Sequence, residues 1–176
     1  MQSTKDTFYI TLRDRLAALN PARTITLNGV TRPAIVVAEN EAVLPVKPLP
    51  DAFYIEWGAA QAMPMQIGDC AIFSLECLIS YHTLGTVQSG VDRGRALAGL
   101  DTELLNITQP ATSPQRDYTQ PTPVDLGTSI VWSTPQLRKI TGSEAPRTEA
   151  LPRGNTGVRL ERTASLKVFF FPEVTF

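Results

Sequence analysis

The chain has 176 residues, of which 43% are hydrophobic and 19% are charged, and this composition excludes a wholly disordered or fibrous protein. Sixteen Lys and Arg residues against 17 Asp and Glu residues leave a formal charge of −1, so no overall electric field attracts the protein to DNA or to anionic lipid. No apolar run approaches the roughly 20 residues that span a bilayer, and no apolar stretch follows a basic start at the N-terminus. We therefore expect neither a membrane-spanning helix nor a secretory signal.

Histidine and cysteine are scarce, and their positions argue against catalytic and metal sites. His82 is the one histidine, and Cys70 and Cys77 are the two cysteines, too few for the four ligands of a structural zinc site. All three lie in a segment with period-2 patterning, where Cys70 and His82 would share one face about 40 Å apart and Cys77 would face the other way. We predict no catalytic residue, no metal site, no cofactor, and two free thiols in a reducing cytoplasm.

The N-terminal segment predicts an amphipathic helix over residues 3–19. Ser3 or Thr4 serves as the N-cap, Asp6 in the first turn meets the positive end of the helix dipole, and Pro21 stops the helix. Its apolar stripe consists of Phe8, Leu12, Leu16 and Leu19. This helical spacing indicates packing on a core.

A hairpin and a buried strand are predicted next. Asn28-Gly29 separates two runs of β-branched residues, and this pair favours the positive φ angles of a type I′ turn. Pro33 cannot donate a hydrogen bond to a ladder, so the returning strand is expected at a sheet edge or with a bulge at Pro33. Residues 34–38 are typical of a buried strand, and residues 39–50 of a loop.

The middle of the chain predicts two strands and a second helix. Residues 53–57 indicate a short strand and residues 59–69 a loop. Residues 71–82 alternate between apolar and polar side chains, as in a strand with one face on the core. The second helix covers residues 91–107, with Ser89 as its N-cap. Its apolar stripe consists of Leu97, Leu100, Leu104 and Ile107, and Gly94 and Gly99 weaken it or allow close packing.

Residues 108–157 differ in character from the rest of the chain. They contain seven prolines and one good strand candidate, residues 128–132, so we predict a long Pro-rich arm inserted into the domain. Residues 159–171 then close the chain as a strand. The whole of residues 1–176 is thus predicted to form one α+β domain, a two-layer sandwich of a mostly antiparallel sheet and two helices.

This order of elements resembles the tail-terminator family of long-tailed bacteriophages, the minor tail protein U-like proteins. The similarity covers about half of the chain. It lies in the N-terminal helix at residues 4–19, the strand and helix at residues 71–79 and 92–101, and the closing strand at residues 166–171. The resemblance implies a non-enzymatic virion protein, assembled in the bacterial cytoplasm, that forms a ring, usually a hexamer. Such a ring caps the tail tube, binds the tube protein and a head-completion or neck protein, and lets DNA pass without specific binding.

Candidate contact residues follow from the predicted arm and from the charge pattern. The candidate partner-contact residues are Val124, Leu126, Ile130, Val131, Trp132, Arg138, Arg147 and Arg153. Trp132 is expected to be the main anchor, because large aromatic side chains dominate interface energetics.

Residues 138–167 carry seven basic side chains against three acidic ones, whereas Glu39, Glu41, Asp51 and Glu56 give the first third an acidic surface. Opposite patches suit head-to-tail contacts around a ring, and ordinary solvated surfaces are the alternative.

Two other functions remain open from the sequence. One is another neck or tail component of similar fold. The other is a small enzyme or ligand-binding domain with a pocket formed by Trp57, Met63, Met65, Tyr81 and His82.

Overall fold

A seven-stranded sheet organises the fold, and both helices pack against it. The computed structural model describes residues 1–39, 48–67, 70–84, 90–139 and 160–171. The helices are α1 (Gln2–Leu19) and α2 (Gly90–Ile107). The strands are β1 (Thr24–Leu27), β2 (Val30–Pro33), β3 (Ile35–Val37), β4 (Phe53–Ile67), β5 (Cys70–Thr83), β6 (Thr112–Asp117), β7 (Val124–Trp132), β8 (Gln136–Lys139) and β9 (Leu160–Phe170).

The sheet has the strand order β3-β4-β5-β9-β7-β6, and β8 pairs with β9. Among these pairs β3 and β4 are parallel and the others are antiparallel. The predicted α+β class with a mostly antiparallel sheet is confirmed. Strands β7 and β8 lie end to end along the same side of β9, joined by a short connection at Ser133. The Ser133 N–H donates to the Lys167 carbonyl, and the Ser133 Oγ accepts from the Lys167 N–H.

The core lies between the helices and one face of the sheet. Phe8 of α1 makes edge-to-face ring contacts with Trp57 and Trp132, with ring centroids 5.6 and 5.2 Å apart. The predicted stripe of α2 is fully buried, as are Phe8, Leu12 and Leu16 of α1. Leu19 is 47% exposed, because it is the last residue of α1 and lines an open groove beside the end of α2.

The start of α1 differs from the prediction. The helix begins at Gln2 with Met1 as its N-cap, so Ser3 and Thr4 lie inside the first turn. Thr4 is buried, and its hydroxyl accepts a hydrogen bond from Gln115 Nε2 at 3.2 Å. A tertiary contact therefore uses the side chain that the sequence assigned to capping.

The Asn28-Gly29 hairpin is confirmed, with φ angles of 50° and 79° at its two turn residues. Strands β1 and β2 form a separate two-stranded sheet, and Pro33 is the last residue of β2. The predicted strand at residues 34–38 is confirmed as β3, whose three residues are all buried.

The predicted loop at residues 59–69 is wrong over residues 59–67, because β4 continues to Ile67. Small residues of low strand propensity are held there by pairing with β5. The register shifts twice, between Trp57 and Ala60 and between Ala62 and Gln66. These bulges accommodate the irregular sequence without ending the strand. Pro64 lies in the second irregular stretch, where a missing N–H does not interrupt a regular ladder.

The predicted arm is wrong over residues 108–139, which form β6, β7 and β8 and their connections, whereas the strand predicted at residues 128–132 is confirmed as part of β7. Helix α1 covers the outer edge of β6: the Arg116 N–H donates to Thr7 Oγ1 at 3.1 Å, and Thr11 Oγ1 donates to Ser113 Oγ at 2.9 Å. Polar side chains of α1 replace the missing neighbour strand and make this Pro-containing segment part of the fold. Residues 140–157 of the predicted arm, and Ser89, lie outside the described residues.

Candidate functional site

The side chains of the predicted pocket do not come together. Trp57 packs on Phe8 in the core, and Tyr81 packs on Phe53 with a ring centroid distance of 5.2 Å. His82 is the next residue after Tyr81 in β5 and lies on the opposite face of the sheet. Met63 lines a cleft at the far end of β5, and the Met65 side chain lies outside what the structure describes. Tyr81 and His82 line one small cavity together, but Trp57 and Met63 do not line it, so the described side chains do not form the predicted pocket.

His82 lies beside a very small polar cavity. The cavity has a volume of about 40 Å³, and its lining includes Tyr54, Ser80, His82, Glu161 and Thr163. It is water-sized, and His82 itself is only 4% exposed. The arrangement suits hydration of a buried polar layer rather than binding of an organic substrate.

Tyr81 and Asp101 join β5 to α2 on the helix-covered face. The Tyr81 hydroxyl donates to Asp101 Oδ1 at 2.5 Å, and Arg162 Nη2 lies 3.1 Å from Asp101 Oδ2. Burial, followed by the hydrogen bond to Asp101, raises the pKa of the Tyr81 phenol. This keeps Tyr81 neutral as a donor and gives the network a structural role.

Cys77 is a free, buried thiol on the face that packs against the helices. Burial raises the pKa of the Cys77 thiol, so the reactive thiolate is disfavoured. Within the described residues, no group of three or more His, Cys, Asp or Glu side chains could hold a metal ion.

Two of the predicted contact residues are unavailable to a partner. Ile130 and Trp132 are buried in this chain's own core. The Trp132 indole N–H donates to the Thr108 carbonyl at 2.8 Å, and the Arg15 guanidinium lies 5.4 Å from the ring centroid. The prediction that Trp132 anchors a partner is therefore wrong, because its own chain already surrounds the indole.

Other predicted contact residues are exposed. Val124 and Leu126 are 51% and 41% exposed, and the first four residues of β7 are exposed on both faces of the strand. We call Val124 and Leu126 the β7 aliphatic pair. Arg138 is exposed and lines an open polar concavity of about 450 Å³ with Glu76, Gln136 and Lys167. Arg147 and Arg153 lie outside the described residues.

An apolar cleft lies on the sheet face opposite the helices. It has a volume of about 330 Å³ and is lined by Met63, Ile72, Ser129, Val131, Phe169, Phe170 and Phe171. None of these side chains is charged, and Val131 is 48% exposed. The pairing of Val131 with Phe169 places strands β7 and β9 side by side along the cleft.

The cleft was missed in the sequence, although Val131 was among the candidate contacts. The sequence signal of the cleft is a break in the alternation of apolar and polar residues along β9 and β5. Phe169 occupies the face of β9 that otherwise carries Glu161, Thr163, Ser165 and Lys167, and Ile72 occupies the corresponding face of β5. Large apolar residues at polar-face positions mark a surface that is apolar without being core.

The proposed acidic and basic patches are partly neutralised within the chain. Glu39 is paired with Lys5 at 2.7 Å, and Arg162 with Asp101. Each of these charges has an internal partner, which reduces the field available for long-range attraction between copies.

No protein-family model matches the chain, and no curated protein matches it. Neither described helix is long and apolar enough to cross a membrane.

Proposed function

We propose that this chain is a non-enzymatic structural protein of a long-tailed bacteriophage virion, a subunit of the tail-terminator ring that caps the tail tube and joins it to the head or neck. The observation that carries the proposal is the end of the sheet where the apolar cleft and the β7 aliphatic pair both face outward. Exposed apolar surface of this kind is typical of an assembly contact.

The fold is consistent with this role. Ring subunits meet through surfaces rather than through titratable centres, and the reactive side chains described here, Cys77 and Tyr81, are buried and structural. The partners of the proposed ring are other copies of the chain, the tail tube protein and a head-completion or neck protein.

The experiment is a measurement of mass and shape. Sedimentation velocity over a concentration series gives the oligomeric state of the purified protein, and electron microscopy shows whether the oligomer is a ring. We expect a closed ring, with six copies as the expected number. A protein that remains monomeric at every concentration and is absent from assembled tails contradicts the proposal.

Another neck or tail component of similar fold would share this apolar end. Its position in the particle distinguishes the two roles. A map of the assembled virion with density for this chain at the head-proximal end of the tube supports the terminator, and density elsewhere in the neck or tail supports the alternative.

A further inference from the structure

We propose that the β7 aliphatic pair of one copy inserts into the apolar cleft of a second copy, and that this contact joins neighbouring subunits. The inference rests on the proposed function, because it takes the partner to be another copy of this chain. It adds which surfaces meet and predicts how the ring can be opened.

The cleft determines the chemistry of its occupant. The seven described residues that line it carry no charge, and Ser129 is the one polar side chain among those seven. A charged or strongly polar group entering the cleft would lose its hydration without gaining a partner. An aliphatic or aromatic side chain would instead remove apolar surface from water on both sides of the contact.

The β7 aliphatic pair has the matching chemistry and a projecting position. Val124 and Leu126 lie within three residues of each other, at the outer end of the β6–β7 hairpin. Both faces of this half of β7 are exposed. The hairpin can therefore enter a concave surface of another copy without first breaking packing contacts within its own chain. The pair and the cleft are different surfaces of one chain, so their contact can repeat head-to-tail from copy to copy, and such repeats form a ring when the rotation between copies closes.

The proposed contact is small, so one contact between two copies is weak, whereas a ring repeats it between every pair of neighbours. Two aliphatic side chains and seven lining residues bury much less than the roughly 1,200 Å² that a stable two-copy complex needs. A single contact is therefore weak. In a closed ring every copy makes the contact twice, and the last contact forms within an already assembled complex, where the effective concentration is high.

The test compares three substitutions to aspartate in the full chain. Leu126→Asp alters the aliphatic pair, Val131→Asp alters the cleft, and Val30→Asp is the matched control on the β1–β2 hairpin. All three replace exposed side chains, so each variant is expected to keep the circular dichroism spectrum and the cooperative thermal transition of the parent. We expect Leu126→Asp and Val131→Asp each to weaken association at least tenfold in sedimentation velocity, and Val30→Asp to associate like the parent.

A second arm tests whether the two surfaces touch each other. Leu126→Glu and Val131→Lys are made singly and together. Each single variant places one charge against an apolar surface and should dissociate. The double variant places the introduced carboxylate of one copy beside the introduced ammonium group of the next and should recover association at low salt. Recovery supports direct contact between these positions, and a double variant no better than the singles argues against it.

The outcomes separate the contact from the proposed function. Rings that survive both Leu126→Asp and Val131→Asp overturn the contact and leave the ring proposal standing. A two-copy complex that depends on Leu126 and Val131 supports the contact and overturns the ring. A parent protein that stays monomeric throughout overturns both. Rings that persist but no longer bind tail tubes assign the cleft to the tube protein and overturn the inference.

Discussion

Arg15 connects three parts of the fold through one guanidinium group. Its Nη1 donates to the carbonyls of Ile107 and Pro110 at 3.0 and 2.8 Å, and its Nη2 donates to the carbonyl of Thr112 at 3.1 Å. The same group lies over the Trp132 ring. The end of α2, the start of β6 and the core indole are thus held together by one residue that lies outside the apolar stripe of α1.

We expect Arg15→Lys to lower the free energy of unfolding by about 1–3 kcal/mol, because an ammonium group cannot reach all three carbonyls or stack on the indole. Urea denaturation measures the change. Arg13→Lys is the matched control, since Arg13 lies in the same helix and makes only local described contacts, hydrogen bonds to Asp14 and a 6.0 Å approach to the Tyr9 ring. Equal stability of the Arg15→Lys variant and the parent would show that the guanidinium contacts contribute nothing.

Because of Cys77, the stability of the fold is expected to fall at alkaline pH. Burial raises the pKa of its thiol in the folded state above the unfolded value of about 8.5. The unfolded chain therefore releases this proton first as the pH rises, and the contribution of Cys77 to stability is complete below about pH 8.5 and is lost above it.

The measurement is the free energy of unfolding by urea at several pH values from 7 to 10, for the parent and for Cys77→Ala, under reducing conditions. We expect the parent to lose stability above about pH 8.5 faster than the variant, by up to about 1.4 kcal/mol per pH unit. Parallel pH curves would contradict the assignment. The variant is less stable overall, because it leaves a small cavity, so the slopes and not the absolute values are compared.

At the scale of elements, Gly94 and Gly99 in the interior of α2 have no packing role. A Cβ at Gly94 or Gly99 would meet no atom within 4 Å outside its own helix and chain neighbours. The interpretation that these glycines allow close packing is therefore not supported. They lower the intrinsic stability of a helix that the buried stripe holds in place.

Gly94→Ala and Gly99→Ala should each raise the free energy of unfolding by roughly 0.5–1 kcal/mol, because alanine loses less backbone entropy in a helix. Thermal and urea denaturation measure the gain. Gly29→Ala is the control of opposite sign: Gly29 also has open space around it, but its φ of 79° strains any residue with a Cβ. A loss of stability in the α2 variants would reveal a packing role that the structure does not contain.

Strands β6 and β7 are expected to be required for folding. Deletion of residues 111–127 removes β6 and the outer half of β7, and with them the hydrogen bonds to Thr7 and Thr11 of α1. We expect the deletion variant to lose its cooperative thermal transition, followed by circular dichroism. Replacing only residues 119–122 of the exposed turn with Asn-Gly is the control and should preserve the transition. A deletion variant that unfolds as cooperatively as the parent would restore the interpretation of an arm.

The sequence predicted the elements whose pattern is periodic and missed those held by neighbours. The stripes of α1 and α2, the alternation of β5 and the Asn28-Gly29 turn are local signals, and each corresponds to an observed element. The outer half of β4 and all of β6 lack such a signal, because their residues of low strand propensity, alanine and proline in β4 and proline and aspartate in β6, become strand residues only through pairing with β5 and β7. The same reason made Trp132 seem free: its partners Phe8 and Thr108 are distant in sequence.

At the scale of the whole molecule, balanced charge governs the behaviour of the isolated protein toward DNA. With a formal charge of −1 and with two of its candidate patch charges paired internally, the chain offers few counterion-releasing contacts to phosphates. We expect no submicromolar binding of duplex DNA at physiological salt, measured by fluorescence anisotropy. A surface that makes few phosphate contacts would suit passage of DNA through the proposed ring, because each phosphate that a protein neutralises helps to hold the duplex in place. Tight duplex binding under these conditions would contradict the expectation.

Helix α1 covers the outer edge of β6, and this affects the tendency of the protein to aggregate at high local concentration. An outermost strand normally presents a row of backbone groups on which a strand from another molecule can grow, and repeated addition leads to fibres. Here the Arg116 N–H is already bonded to Thr7, and the Thr112 carbonyl to Arg15. A visiting strand would have to displace a packed helix before it could pair. Aggregation through this edge is thereby discouraged, and in the proposed ring neighbouring copies would meet through side chains instead of through added strands.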